Sequence, residues 1–177
     1  MKYLIVIDMQ KDFVTGALGT KEAQAILPGV IARIEAAKAA GETVLYTLDT
    51  HETNYMDTTE GRKLPVPHCI RDTAGWLPED GVLEALESTL GFEKPTFGSI
   101  ELADYLASQT ENPDGAGMTI ELCGVCTDIC VVSNTLLIKA TLPEAEIIVD
   151  SALCAGVTPA AHDAALATMR SCQIDVK

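Results

Sequence analysis

Apolar residues occur in two patterns that alternate from the amino end of the chain to the carboxyl end. Continuous apolar runs, typical of strands buried in a parallel sheet, predict strands at 3–7, 43–48, 92–94, 118–125, 147–150 and 173–176. Helical periodicity predicts helices at 22–40, 82–90, 100–108, 129–140 and 159–171, with Ser99 as one N-cap. The alternation predicts one α/β domain over residues 1–177, with a mainly parallel sheet between helices.

Polar residues that could take part in catalysis or ligand binding lie where the predicted strands end. Asp8, Asp49 and Lys94 close the first three strands, and the segment 126–130 follows the fourth. Ligands of such sheets bind beyond the carboxyl ends of the strands, where the winding reverses, so we expect these residues to converge. Residues 50–80 have few periodic signals, and a loop of that length is usually functional.

Cys130 is the predicted nucleophile. It lies in the first turn of the helix at 129–140, where free N–H groups and the helix dipole stabilise a thiolate, and the ammonium of Lys94 would lower the thiol pKa further. Asp8 can accept the thiol proton and return it to a leaving amine. The cysteines assigned to packing, the usual role of a free cysteine, are Cys69, Cys123, Cys154 and Cys172.

A second group of residues offers ligands for a divalent metal ion. Asp49 and His51 are two residues apart and point the same way if the chain stays extended, and Glu60 and His68 lie in the loop that follows. Their nitrogen and oxygen atoms suit Zn²⁺ or a similar ion, with water completing the shell. On spacing alone, hydrogen-bonded loop histidines are an equally good interpretation. His162, on a predicted helix, is assigned no chemistry.

The composition mainly excludes classes of partner and location. A net charge of −14 with only 12 basic residues argues against a nucleic-acid partner. No apolar run approaches the ~20 residues of a membrane span, so no membrane partner is expected, and residues 1–9 do not resemble a secretory signal. The six cysteines are therefore expected to be reduced thiols of a cytoplasmic protein.

Taken in order, these motifs resemble those of the isochorismatase-like cysteine hydrolase superfamily, above all its nicotinamidase-related amidases. The matching segments are Ile7-Asp8-Met9-Gln10, Asp12-Phe13, Asp49-Thr50-His51, Pro67-His68-Cys69, Lys94, Gly124-Val125, Thr127-Asp128-Ile129-Cys130-Val131 and Gly156-Val157-Thr158. The resemblance implies a three-layer, Rossmann-like fold with a six-stranded parallel sheet. It also implies a catalytic triad of Asp8, Lys94 and Cys130.

Further site features follow from the resemblance alone. It implies a cis peptide bond between Val125 and Cys126, and an oxyanion hole formed by the N–H groups of Cys126 and Cys130. It implies a metal ion, expected to be Zn²⁺, to which a ring nitrogen of the substrate coordinates. The metal ligands implied are Asp49, His51, His68 and Glu60.

The resemblance also implies a reaction and an assembly. The thiolate would attack a small amide, with nicotinamide as the best single substrate, and water would hydrolyse the resulting thioester. Nicotinamidases commonly carry an aromatic residue shortly before the second metal histidine, whereas this chain has Leu64, Pro65 and Val66 there. The candidate substrate-binding residues are therefore Phe13, Trp76 and Val125, with Tyr55 as an alternative to Trp76 from the long loop. Members of the family are usually dimers or tetramers, so a homo-oligomer is expected.

Two other functions are compatible with the sequence. The same triad with a different pocket would hydrolyse another small amide, a carbamoyl compound or a vinyl ether. Outside the hydrolases, Cys123, Cys126 and Cys130 suit a redox or metal-binding module, although the first two lie mostly in a strand instead of opening a helix. Such a module would depend on Cys123 and tolerate loss of Asp8, whereas the hydrolase would do the reverse.

Overall fold

The computed structural model describes residues 1–177, and its centre is a sheet of six strands. The strands are β1 (Lys2–Ile7), β2 (Thr43–Asp49), β3 (Leu90–Lys94), β4 (Thr119–Val125), β5 (Glu146–Ala155) and β6 (Asp175–Val176). Their order is β3-β2-β1-β4-β5-β6, and every neighbouring pair is parallel. The predicted α/β class is confirmed, and the sheet is parallel throughout.

Seven α-helices accompany the sheet. They are α1 (Lys11–Val14), α2 (Lys21–Ala39), α3 (Thr59–Lys63), α4 (Asp80–Ala85), α5 (Ile100–Ser108), α6 (Val132–Thr141) and α7 (Pro159–Ser171). Every residue of β1 after Lys2 is buried, so both faces of the central sheet are covered. No helix combines the length and the apolar character that crossing a bilayer requires.

Two helices begin and end at the predicted residues, and side-chain caps explain why. Helix α5 starts after Ser99, whose side chain accepts a hydrogen bond from the Leu102 N–H. Helix α7 starts after Thr158, whose side chain accepts one from the Ala161 N–H, and it opens with a proline in its first turn. Each cap satisfies a backbone donor that the helix itself leaves free, which defines the start of the helix.

Two predicted elements end far from their predicted residues. The helix predicted at 82–90 ends at Ala85, because the chain turns through Ser88 at a positive φ of 62° and β3 begins at Leu90. The strand predicted at 147–150 continues to Ala155, because a bulge relative to β4 lets pairing resume beyond the polar residues that were interpreted as its end.

Hydrophobic periodicity did not predict several short helices. The loop at 50–80 contains α3 and 3₁₀-helices at Tyr55–Asp57 and Ala74–Trp76. The helix predicted from residue 129 begins instead as a π-helix at Thr127–Val131 and continues as α6. Elements of three to five residues are too short for a hydrophobic repeat to reveal them.

The strand order reverses between β1 and β4, and Gly124 allows these strands to approach closely. Gly124 pairs with Ile7 and has a φ of 120°. A Cβ atom at this position would lie 2.1 Å from the carbonyl oxygen of Ile7. Only glycine fits, so Asp8 and the segment that follows Val125 emerge side by side at the carboxyl edge of the sheet.

Candidate active site and metal centre

Lys94 joins Asp8 and Cys130 at the carboxyl edge of the sheet. Its Nζ atom lies 2.7 Å from Asp8 Oδ2 and 3.4 Å from Cys130 Sγ. The Lys94 and Asp8 side chains are 1% and 0% exposed, and Cys130 is buried as well. The structure therefore brings together three residues that the sequence separates by up to 122 positions (130 − 8).

Asp8 is held from both sides. Its Oδ1 atom accepts a hydrogen bond of 2.6 Å from the Thr47 hydroxyl, while Oδ2 faces Lys94. Its φ of 47° places the backbone in the left-handed region, which costs about 1–2 kcal/mol for a residue other than glycine. Strain of this kind persists where the surroundings enforce it, and it is concentrated at functional sites.

Burial controls the electrostatics of this group. It raises the pKa of the Cys130 thiol well above its usual value, and the Asp8 carboxylate raises it further although Lys94 lowers it. The expectation of a lowered thiol pKa is therefore wrong for the free site. Burial also raises the pKa of Asp8, against the opposing charge of Lys94. The ammonium of Lys94 stays charged, because the neighbouring acidic groups outweigh burial and raise its pKa.

The predicted metal ligands also converge. Asp49 Oδ2 lies 3.0 Å from His51 Nε2 and 3.5 Å from His68 Nε2. Glu60 Oε1 lies 3.6 Å and 3.8 Å from the same two nitrogen atoms. The ligand atoms of Asp49, His51 and His68 all lie within 4.8 Å of one another. Two imidazoles and two carboxylates thus face one small volume, as a shared cation requires.

The hydrogen bonding of the two imidazoles fits a bound cation. His68 Nδ1 is 2.8 Å from the Val66 carbonyl oxygen, which can only accept, so Nδ1 of the neutral ring carries the proton and Nε2 is free to bind a cation. His51 Nε2 is buried without an aligned hydrogen-bond partner. Although burial raises the pKa of Asp49, the two imidazoles and Lys94 hold it below its usual range. The donor set suits Zn²⁺.

Two side chains of the segment after β1 hold the backbone of the metal ligands. Gln10 Oε1 accepts from the Asp49 N–H at 2.8 Å, and Gln10 Nε2 donates to the Asp49 and Trp76 carbonyls at 2.9 and 2.8 Å. Asp12 Oδ2 accepts from the N–H of Cys69, next to His68, at 2.8 Å. The sequence analysis used Gln10 and Asp12 only as motif positions and missed these supporting roles.

Tyr55, considered in the sequence analysis only as an alternative aromatic residue of the pocket, does not line the cavity and instead supports the metal ligands. Its buried ring lies 4.7 Å from the His51 ring and 5.1 Å from the His68 ring, measured between centroids. Its hydroxyl donates to the Leu64 carbonyl at 2.9 Å. Tyr55 therefore fixes both imidazoles from the loop, and it belongs to a three-residue helix that shows no sequence periodicity.

Asp49 connects the two groups of residues. Its Oδ2 atom faces the imidazoles, while its Oδ1 atom lies 3.3 Å from Lys94 Nζ. The register of the sheet explains this contact, because Asp49 and Lys94 are paired residues at the ends of β2 and β3. The predicted triad and the predicted metal ligands therefore form one continuous site.

A cavity of about 630 Å³ opens onto this site. Asp49, Glu60, His68 and Cys130 line it, together with Phe13, one of the candidate substrate-binding residues. The other two candidates, Trp76 and Val125, do not line it. The indole N–H of Trp76 donates to the Thr50 hydroxyl at 2.9 Å, and the side chain of Val125 is buried at the end of β4.

The backbone between β4 and α6 encloses the remaining side of the cavity. The Val125–Cys126 peptide bond is cis, as the resemblance implied, and both Cys126 and Cys130 line the cavity. The Cys126 carbonyl accepts hydrogen bonds from the N–H groups of Ile129 and Val131, which closes the π-helical turn. The N–H groups of Cys126 and Cys130 remain the predicted oxyanion donors.

The cysteines assigned to packing (Cys69, Cys123, Cys154 and Cys172) and His162 do not line the cavity. All six cysteines are free, and Cys123 is fully buried within β4, as expected for a packing residue. His162 Nδ1 is 2.8 Å from the hydroxyl of Thr127, the first residue of the π-helix. This contact gives His162 a structural partner beside the site.

Comparisons with known proteins agree with this architecture. The isochorismatase domain model matches residues 2–176. No curated protein matches the chain. The pyrazinamidase/nicotinamidase of Streptococcus mutans UA159 has a similar structure, with a TM-score of 0.85 and 23% identity over 100% of both chains.

Two further solved structures have the same fold. The pyrazinamidase of Pyrococcus horikoshii, in complex with zinc, superposes with a TM-score of 0.78 and 27% identity, over 99% of this chain and 98% of that one. The N-carbamoylsarcosine amidase of Thermoplasma acidophilum has a TM-score of 0.79 and 24% identity, over 99% and 95%. Since the domain model covers all but the two terminal residues, the chain belongs to the isochorismatase family of hydrolases.

Proposed function

We propose that this chain is a cysteine amidase that converts a small primary amide to a carboxylic acid and ammonia, with nicotinamide as the reference substrate. The observation that carries the proposal is the position of Lys94 Nζ, 2.7 Å from Asp8 and 3.4 Å from Cys130, whose side chain lines the cavity. The 27% identical Pyrococcus structure, a pyrazinamidase, supports amide hydrolysis in preference to other reactions of the family.

The first step forms a carbon–sulfur bond. Asp8 accepts the proton of the Cys130 thiol, and the sulfur attacks the amide carbon while the carbonyl electrons move to oxygen. The ammonium of Lys94, 3.4 Å from the sulfur, stabilises the thiolate as it forms. The N–H groups of Cys126 and Cys130 are the donors assigned to the oxyanion.

The second step releases ammonia, and the third releases the acid. Asp8 returns its proton to the departing nitrogen, so the carbon–nitrogen bond breaks and a thioester remains on Cys130. A water molecule then attacks the thioester while Asp8 accepts one of its protons. The carbon–sulfur bond breaks, the carboxylic acid leaves, and Asp8 passes that proton to the Cys130 sulfur. Lys94 acts electrostatically throughout, because its raised pKa keeps it charged.

The metal centre is assigned to substrate binding. Asp49, His51, His68 and Glu60 would hold a divalent cation, and the zinc complex of the Pyrococcus neighbour supports Zn²⁺. Such an ion, when bound, supplies a Lewis-acid contact for a ring nitrogen of the substrate. His68 and Glu60 also line the cavity, so a substrate held there lies beside the Cys130 sulfur.

Ammonia release from nicotinamide, compared with N-carbamoylsarcosine, tests the proposal. We expect turnover of nicotinamide that disappears in Cys130→Ala and persists in Cys123→Ala, a buried cysteine outside the cavity. Absence of turnover of any small amide would refute the amidase, and turnover of the carbamoyl compound alone would assign the chain to the other amidase type. The predicted homo-oligomer is tested separately, by light scattering.

A further inference from the structure

The cavity over the reactive residues combines a buried polar region with a mostly apolar wall. Its buried lining residues Asp49, His68 and Cys130 are reactive or metal-binding groups. Most of its accessible wall is apolar, and its hydrophobic lining residues other than the two cysteines are Phe13, Leu18, Leu64, Phe97, Ile129 and Val157. The carboxamide end of a substrate therefore meets polar groups, and the rest of the molecule meets hydrocarbon.

Three of these apolar residues are exposed and form the rim of the cavity. Leu64, Phe97 and Val157 are 38%, 47% and 49% exposed, and they follow α3, β3 and β5 respectively. Single exposed hydrophobic residues need no explanation, but three from separate segments that meet at one cavity form a patch of the kind that marks ligand-binding grooves.

The polar side chains nearest the rim are three threonines, each engaged in one hydrogen bond within the protein, and the exposed Lys63. The hydroxyl of Thr20 already accepts from the Ala23 N–H, and that of Thr96 already donates to the Gly98 carbonyl. The hydroxyl of Thr59 accepts from the Arg62 guanidinium. Because most of the accessible wall is apolar, a substituent that passes the rim gains mainly from burial of apolar surface.

The cavity is larger than a substrate with a single ring requires. Cavities of about 300–1,000 Å³ accommodate drug-sized ligands, and this cavity has about 630 Å³. Nicotinamide is one pyridine ring with one carboxamide, and it would leave the exposed rim residues in water. The place before His68, where nicotinamidases carry an aromatic residue, holds Leu64, Pro65 and Val66, and the first of these belongs to the rim.

We propose that the substrate of this site is a primary amide with an apolar acyl group longer than one ring, whose far end lies against Leu64, Phe97 and Val157. This inference rests on the proposed amidase function and adds its substrate class. Each methylene group buried at the rim strengthens binding roughly fourfold, so selectivity accumulates with chain length.

Nicotinamide derivatives that carry an unbranched alkyl group of increasing length on the ring test the inference in two assays of the zinc-loaded protein. They keep the ring nitrogen assigned to the metal and differ only in the length of their apolar part. Calorimetry on Cys130→Ala measures binding without turnover, and ammonia release by the unsubstituted chain measures kcat/KM. We expect both to rise roughly fourfold per methylene until the rim is covered. In Phe97→Ala and Val157→Ala, which change exposed residues, the rise per methylene is expected to flatten. Leu83→Ala, also 45% exposed but outside this cavity, is expected to leave it unchanged.

The outcomes separate the two proposals. Affinity and kcat/KM that do not change with chain length, in a protein that hydrolyses nicotinamide, would overturn the apolar substrate class and leave the amidase intact. A rise that persists undiminished in both rim variants would overturn the assignment to these residues. Affinity that rises with length while no amide releases ammonia would overturn the amidase, and the rim would remain as a binding surface.

Discussion

Replacing Lys94 by methionine removes the positive charge that two buried carboxylates share. The ammonium lies 2.7 Å from Asp8 Oδ2 and 3.3 Å from Asp49 Oδ1, and all three side chains are at most 4% exposed. Methionine keeps an unbranched chain of similar length, so packing changes little. The variant therefore isolates the cost of leaving the carboxylates without their counterion.

The expected cost is large because water cannot replace the ammonium. Breaking a buried ion pair by removing one partner destabilises a protein by about 3–5 kcal/mol. We expect Lys94→Met to lower the free energy of unfolding in urea by about this amount, measured at pH 7 without added metal. The matched control is Lys11→Met, since Lys11 pairs with Asp80 at 2.6 Å but the two side chains are 29% and 83% exposed. An exposed pair contributes less than about 1 kcal/mol.

The origin of the loss is checked by neutralising the carboxylate that remains. The double variant Lys94→Met with Asp8→Asn is expected to be more stable than Lys94→Met, because no charge is stranded at position 8. Burial already raises the pKa of Asp8, and loss of Lys94 raises it further. The loss in free energy of unfolding of Lys94→Met, relative to the parent, should therefore be smallest below about pH 4, the ordinary pKa of Asp. It should grow as the pH rises through the raised pKa of Asp8.

A loss of less than about 1 kcal/mol for Lys94→Met, similar to that of Lys11→Met, would refute this reasoning. The same holds if the Asp8→Asn change makes the Lys94→Met variant less stable at pH 7. Either result would mean that water reaches the carboxylates, and that the site is not the closed ion cluster described above.

The remaining predictions concern the metal centre and its supports. Zn²⁺ at one hundred times its Kd should stabilise the metal-free protein by about 2.7 kcal/mol, which thermal unfolding detects. His68→Ala should abolish this stabilisation and His162→Ala should retain it. Equal stabilisation of both variants would exclude the site. Glu60→Gln should weaken zinc affinity in calorimetry if the carboxylate is a ligand, and unchanged affinity would remove it from the set. Gln10→Ala loses three hydrogen bonds and should lower the free energy of unfolding in urea by about 2–4 kcal/mol. It should also weaken zinc binding, because the Asp49 backbone is no longer held. A loss of stability below about 1 kcal/mol would contradict this role.

The reactive residues were predictable because sheet topology alone places them together. Asp8, Asp49 and Lys94 each stand at the carboxyl end of an apolar run, and parallel strands align those ends at one edge. Gly124 is the local feature that tightens this arrangement, since its missing side chain allows β1 and β4 to emerge side by side. Strand order and strand ends therefore suffice to bring Asp8, Asp49 and Lys94 together.

The supports and the cavity wall were not predictable from local patterns. Gln10 contacts Asp49 across 39 positions and Asp12 contacts Cys69 across 57, and no periodicity encodes such contacts. The low thiol pKa expected from the helix terminus and Lys94 was wrong, because the depth of burial of Cys130 depends on the whole fold. Trp76 was proposed for the pocket from its position in the long loop, yet its indole faces Thr50.

The measurement that tests the central claim most directly is kcat/KM for ammonia release in Asp8→Asn beside Cys123→Ala. A hydrolase that uses Asp8 to move the thiol proton predicts a fall of about 10²–10⁴-fold for Asp8→Asn and near-parental activity for Cys123→Ala, with both variants folded by circular dichroism. Activity that survives in Asp8→Asn and disappears in Cys123→Ala would contradict the account and indicate chemistry carried by the cysteines alone.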